Sequence, residues 1–268
     1  MAFTYRSIAA VNSVFVNNYM LWKNIFLTLI IFFASAGIAG ANGLPDADRD
    51  GVPDQDEQLI YYTDVNKADT DGDGFSDFAE INDGFSPHNP EAVKLIDSDV
   101  DKDTLSEAWE IKFRSNPLVA DTDGDGFKDG EEADKGFDPL QKGGARLAIS
   151  LRINLQPQTL DYLLNGYVWK SFPVSSGKAS MPTPKGDFKV MNKIEKAWSR
   201  TYKLWMPYWL GLNSPGIGIH ELPVWPNGYR EGENHLGTPV SHGCIRLGVG
   251  AASYVYQRVS SGTPVLIR

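Results

Sequence analysis

At 268 residues, with 42% hydrophobic content and a formal charge of −9, the chain has room for about two domains and at least one real core. A single cysteine excludes an intrachain disulfide, so the compartment has to be read from targeting signals. The charge is divided: residues 44–144 hold 28 Asp/Glu against 9 Lys/Arg, residues 145–268 hold 6 against 14, and compositions this different place a boundary near Gly143-Gly144.

In chain order, the first feature is the apolar run from Ile25 to Phe33, followed by the small residues Ala34 to Ala41. With Lys23 as charged flank and Ala39-Gly40-Ala41 as cleavage site, residues 1–41 read as a signal peptide, and Met20 as the true start. An uncleaved anchor is the competing reading, because the run lengthens toward a membrane span if counted through Ala41. Either way the remainder is expected outside the cytoplasm, in the periplasm or cell envelope.

The region 44–143 repeats itself. Asp46, Asp48, Asp50, Asp54 and Glu57 stand at positions 1, 3, 5, 9 and 12 of a loop with Gly51 at position 6. The same register recurs as Asp69, Asp71, Asp73, Asp77 and Glu80 around Gly74, and as Asp121, Asp123, Asp125, Asp129 and Glu132 around Gly126. A further copy, Asp99, Asp101, Asp103, Glu107 and Glu110, has Thr104 in place of the glycine. Carboxylates at 1, 3 and 5 converge only if the backbone curls round a centre. Glycine permits that turn, and the acid at 12 closes a cage of hard oxygens suited to Ca²⁺. All twenty acids are therefore candidate calcium ligands. The loop at Asp99 is expected to be the weakest site, and Val52, Phe75, Leu105 and Phe127 at position 7 are expected to point inward as anchors. The pattern resembles thrombospondin type 3-like calcium repeats; an acidic disordered linker would not demand a recurring register.

After Gly144 short apolar runs alternate with turns. Strands are predicted over 147–155, 159–164, 167–174, 187–191 and 263–267, with a hairpin at Asn165-Gly166 and one helix, Ala251 to Val259. The domain 145–268 is thus mostly β with few helices. Trp198, Trp205, Tyr208, Trp209 and Trp225 read as core.

The one cysteine lies in Ser241-His242-Gly243-Cys244-Ile245-Arg246-Leu247. A thiol attacks as thiolate, so a base and positive potential are the neighbours a nucleophile needs. This string, with Gly218-Ile219-His220, Thr183-Pro184-Lys185-Gly186-Asp187-Phe188 and Phe172 to Gly177, resembles the L,D-transpeptidase catalytic domain (YkuD-like), a β-sandwich. The resemblance implies Cys244 as nucleophile and His220 as base. It places His242, Gly243, Ser241 and Arg246 around the substrate and the oxyanion, with backbone N–H groups near Gly243-Cys244 as the hole. His235 is the alternative base, disfavoured because the strand-like Ile217 to Ile219 gives His220 the firmer platform. Glu221 stands where the family commonly has glycine or serine, and can serve if its backbone carbonyl orients His220.

The expected activity is peptidoglycan cross-linking or remodelling through a Cys244 thioester with a tetrapeptide stem, releasing D-Ala and passing the acyl group to an amine. No catalytic cofactor and no nucleic-acid partner are expected, and a membrane partner only through the N-terminal segment. An L,D-carboxypeptidase using water, or a non-catalytic calcium-dependent wall-binding protein, are the alternatives.

Overall fold

The structure is a computed structural model that describes residues 44–268; the expected signal segment, 1–41, lies outside the described residues. Among the described residues no helix is long and apolar enough to cross a membrane. The chain divides into two compact units, one ending at Leu95 and the other running from Ile96 to Arg268. The change of composition at Gly143-Gly144 falls inside the second unit.

Each acidic loop curls and then enters a short helix. The first continues through Asp54–Asp56 into a π-helical turn, Glu57–Tyr61; the others enter α1 (Asp77–Asp83), α2 (Glu107–Phe113) and α3 (Asp129–Lys135). Acids crowd the first turn of each helix, where main-chain N–H groups lack intrahelical partners. α1 and α3 end on Gly84 and Gly136 in the left-handed region, φ +77° and +80°.

The loops come in pairs. In the first unit Asp50 Oδ2 accepts from Phe78 N at 2.9 Å, and in the second Asp103 Oδ2 accepts from Gly130 N at 2.8 Å. A Cβ on Gly130 would lie 2.6 Å from Asp103 O, so only glycine lets the two loops close on each other. Pairing corrects the expectation for position 7. Val52 and Leu105, in the leading loops, are buried, but Phe75 and Phe127, in the following loops, are 64% and 55% exposed. One anchor per pair suffices, because the leading loop is the one overlain by its partner's helix.

Residues 149–267 form the strands β1 (Ile149–Asn154), β2 (Thr159–Leu164), β3 (Tyr167–Ser175), β4 (Gly186–Ser199), β5 (Leu204–Leu212), β6 (Gly218–Glu221), β7 (Ile245–Leu247) and β8 (Pro264–Ile267). They close in the order β1-β2-β3-β7-β6-β5-β4-β8. The two layers of the expected sandwich are joined at both edges: β3 pairs with β2 and then, through Val174 and Ser175, with β7. β4 likewise pairs with β8 over Gly186–Lys189 and with β5 beyond Val190. Period-two alternation puts Leu151 and Ile153 inside beside Leu160, Val174, Ile219 and Val265. The β2–β3 turn is made by Asn165 and Gly166, both at positive φ. α4 (Ala251–Arg258) buries Ala252 and Val255 and packs against β5 and β6.

Candidate active site and candidate metal loops

Parallel pairing of β6 with β7 sets Ile219 opposite Ile245 and His220 opposite Arg246. Because Ile245 and Leu247 are buried in the core, Cys244 and Arg246 project from the other face of β7. The three sequence segments that flank them converge here. Ser241 bridges to Gly177 as an isolated parallel pair, and Thr183 Oγ1 accepts from Gly177 N and donates to Gly243 O, both at 2.8 Å. A Cβ on Gly177 would sit 2.3 Å from Met181 O, so this close approach requires glycine.

His220 is 3% exposed. Its Nδ1 lies 2.6 Å from the Glu221 carbonyl, which can only accept, so Nδ1 carries the proton and Nε2 is left as the basic nitrogen. Burial pushes its pKa down to about 4 against the raising effect of that hydrogen bond, with Arg246 lowering it further. The imidazole is therefore neutral at pH 7, and Trp209 stacks over it at 5.8 Å between ring centroids. Burial also pushes the Cys244 thiol up, opposed by a hydrogen bond from Gly218 N–H and by the Arg246 charge. Sγ donates to Gly216 O at 3.4 Å. No hydrogen bond joins it to the imidazole among the described residues.

Ser241 Oγ donates to Cys244 O at 2.5 Å and accepts from Gly243 N at 3.1 Å. The Gly243 N–H is thus engaged by the Ser241 hydroxyl. His242 is exposed and stacks on Tyr202, from the β4–β5 turn, at 4.7 Å; burial first, then Lys178 and Arg246, lowers its pKa.

One group absent from the sequence expectations is Glu231. It is buried, its Oε1 accepts from Arg246 Nη1 at 2.7 Å, and it meets His235 Nδ1 at 2.5 Å. The alternative base is thereby tied to a carboxylate. Arg230 pairs with the Glu221 side chain, so the loop after β6 is held at two points.

In each of the four acidic loops one oxygen from positions 1, 3 and 5 lies within 4.8 Å of the others. The oxygens without partners recur in register: Asp48, Asp71, Asp101 and Asp123 Oδ2 at position 3, and Glu57, Glu80 and Glu132 Oε2 with both oxygens of Glu110 at position 12. Burial first, then neighbouring carboxylates, pushes Glu80 up to about 8 and Glu110 up to about 9. Buried anionic oxygens aimed at one another in this way fit a cation. Position 9 behaves otherwise. Asp77 and Asp129 accept from the N–H and hydroxyl of Thr70 and Thr122, Glu107 accepts from Ser98 Oγ, and Asp54 accepts from Ala47 N. Those four acids close their own loops. Thr104 makes the turn without glycine, at φ +81°.

A family profile described as L,D-transpeptidase catalytic domain matches residues 149–267. Over residues 149–267 the chain is therefore similar to the L,D-transpeptidase catalytic-domain family. A profile described as bacterial TSP3 repeat matches residues 69–86 and 121–142, the two loops that follow in each pair. L,D-transpeptidase 1 of Mycobacterium tuberculosis is 30% identical over 149 residues, covering 50% of this chain and 54% of that protein. Putative L,D-transpeptidase YkuD of Bacillus subtilis is 29% identical over 120 residues, covering 44% and 64%. The chain thus spans about half the length of the first of these relatives and under two thirds of the second. A solved L,D-transpeptidase from Mycobacterium smegmatis aligns with a TM-score of 0.39 at 25% identity, over 47% of this chain and 60% of that one. The L,D-transpeptidase family is one of acyltransferases acting on peptidoglycan stem peptides, and Cys244 and His220 lie inside the matched range.

Proposed function

We propose that the chain is an exported peptidoglycan L,D-transpeptidase of the periplasm or cell envelope. In this reading residues 1–41 are its signal, 44–143 a calcium-binding repeat region and 145–268 the catalytic domain, with a role in wall biogenesis and cell shape. The observation that carries the catalytic assignment is the Nδ1–H bond of His220 to the Glu221 carbonyl, which leaves a neutral base with Nε2 free on the strand paired with the cysteine motif. Nε2 takes the Sγ proton as Cys244 attacks the carbonyl carbon of the bond between the L-centre of the stem and D-Ala. The Cys244 N–H faces the developing oxyanion. Collapse breaks the C–N bond, His220 returns the proton to the leaving D-Ala amine, and a thioester remains. An acceptor amine then attacks the thioester, giving its proton to His220, and the thiol is restored. Arg246, held by Glu231, supplies positive potential to this face, while Ser241 and Gly243 fix the backbone and His242 borders the substrate.

For the repeat region, the unpartnered oxygens at positions 3 and 12 support calcium as a structural ion, held by the acids at 1, 3, 5 and 12 of each loop. The bound ion supplies charge neutralisation and a fixed loop geometry.

The test is muropeptide mass spectrometry on stem-containing substrate, together with intact-protein mass after exposure to a carbapenem. Wild type should release D-Ala and gain one adduct, and Cys244→Ala should do neither. Release of D-Ala with tripeptide alone as product would replace the amine acceptor by water. Absence of both release and adduct would remove the assignment.

A further inference from the structure

We propose that the second pair of loops is a calcium-set brace of the barrel: a cation held at Asp99, Asp101, Asp103 and Glu110 stabilises the barrel, whereas cations in the first pair do not. The inference rests on the calcium reading of the loops given above.

Glu110 is fully buried, and neither of its carboxylate oxygens has a partner. The charges that act on it most are Asp101, Asp103 and Asp129, drawn from both loops of the pair. A carboxylate in such a place has to hold a proton, be joined by a cation, or open the surrounding chain, and four convergent acids favour the cation over four separate protons. The helix that carries it, α2, also carries Trp109 and Phe113, whose rings meet Trp169 of β3 at 4.7 and 6.1 Å between centroids. Leu105, Phe113 and Ala133 belong to the same buried cluster as Leu151 and Tyr162 of the barrel.

The following loop is fixed by polar contacts. Asp134 on α3 accepts from Lys170 Nζ at 3.1 Å, from Arg258 Nη2 at 2.8 Å and from Tyr254 Oη at 3.3 Å, and its carbonyl takes Arg258 Nε at 2.7 Å. Tyr254 and Arg258 lie on α4, which packs against β5 and against β6, the strand that bears His220. At the equivalent positions of the first pair, Asp56 replaces Trp109 and Asn82 replaces Asp134, so neither docking group is repeated there.

A cation at Glu110 therefore stabilises the face that holds Trp109 and Phe113 on the barrel. By linkage, whatever binds this folded arrangement and not the open one raises the stability of the whole unit. The loop that lacks a turn glycine becomes the one on which the barrel depends.

The experiment is a thermal melt of the full chain followed by tryptophan fluorescence, with Ca²⁺ or with chelator. Six of the chain's seven tryptophans, Trp109, Trp169, Trp198, Trp205, Trp209 and Trp225, lie in the second unit, so the signal is dominated by that unit, and Trp22→Phe as background removes the seventh. Ca²⁺ at about a hundred times its Kd should raise the midpoint by about 5–10 °C. Glu110→Gln should lose most of that rise and Glu80→Gln should keep it, while calorimetry finds one fewer Ca²⁺ bound in each. Asp134→Asn should bind the full complement yet show a smaller rise. If calorimetry finds Ca²⁺ bound and the wild-type midpoint does not move, the brace is refuted and the calcium reading stands. If no Ca²⁺ binds at millimolar concentration, the calcium reading itself falls and the brace with it. An equal loss of the rise in Glu80→Gln and Glu110→Gln would also overturn the distinction between the pairs.

Discussion

Replacing Thr183 by valine removes one oxygen and nothing else of comparable size. That oxygen accepts from Gly177 N and donates to Gly243 O, and the residue is 4% exposed. Thr183→Val therefore leaves a main-chain donor and a main-chain acceptor buried without partners. Each unmade bond costs about 1–3 kcal/mol, so the pair should cost about 2–6 kcal/mol, a fall of roughly 6–18 °C in the midpoint of a unit of this size. Gly243 precedes Cys244, the proposed nucleophile, so the loss should also slow acylation of that thiol when measured well below the midpoint. Denaturant unfolding followed by tryptophan fluorescence gives the first quantity, and the rate of adduct formation with a carbapenem the second. Thr183→Ser keeps the oxygen and should recover most of both. A valine variant within about 0.5 kcal/mol of wild type, with an unchanged acylation rate, would refute the reasoning.

Two further outcomes follow from the charges around the site. His220 is held at a pKa of about 4, below its ordinary value of 6.5, so folded and unfolded chains are both neutral there above that value. As pH falls from 6.5 to about 4, the unfolded chain takes the proton first and stability is lost, by up to about 3 kcal/mol; the loss should be missing in His220→Gln when both are melted in saturating Ca²⁺. Glu231→Gln removes the counter-charge of Arg246, one of the groups that lowers the Cys244 pKa. The pH midpoint for alkylation of Cys244 by iodoacetamide should then move down, by roughly half a unit to one unit, and an upward move would contradict the role given to this pair.

Much of the barrel was legible because its inner strands alternate. The runs 147–155, 159–164 and 167–174 became β1, β2 and β3 almost residue for residue, and the Asn165-Gly166 turn lies between the last two. The second half of β4 was not legible, since Asn192 to Lys196 is exposed or half-buried throughout and carries no inside–outside code. Its partner β5 shares that hairpin, and with it the Tyr202 turn that reaches His242. Around the cysteine, the candidates Cys244 and His220 and the glycines that bring their segments together stand in local strings. Glu231 was not, because a loop carboxylate announces nothing until its partner, 15 residues later in sequence, folds beside it. In the acidic loops the convergence of the carboxylates at positions 1, 3 and 5 was legible, since their spacing already requires a curled backbone. The threonine contacts at position 9 were not legible, because spacing cannot tell a carboxylate that faces the centre from one that faces a threonine hydroxyl. Pairing was hidden for a related reason: single loops look alike, and only the contacts of Gly130 and Phe78 with their neighbours make two loops one body.

The neutral resting state of the thiol and the imidazole bears on how such a chain survives where it works. Peroxide and disulfide chemistry begins at a thiolate, and a protonated sulfur donating to the Gly216 carbonyl offers little of one. With no second cysteine to resolve a sulfenic acid, an exposed thiolate in any oxidising compartment would be lost step by step. In the proposed mechanism, storing the nucleophile as a thiol, and calling on His220 only when a carbonyl is in place, would keep the chain's one thiol inert between turnovers.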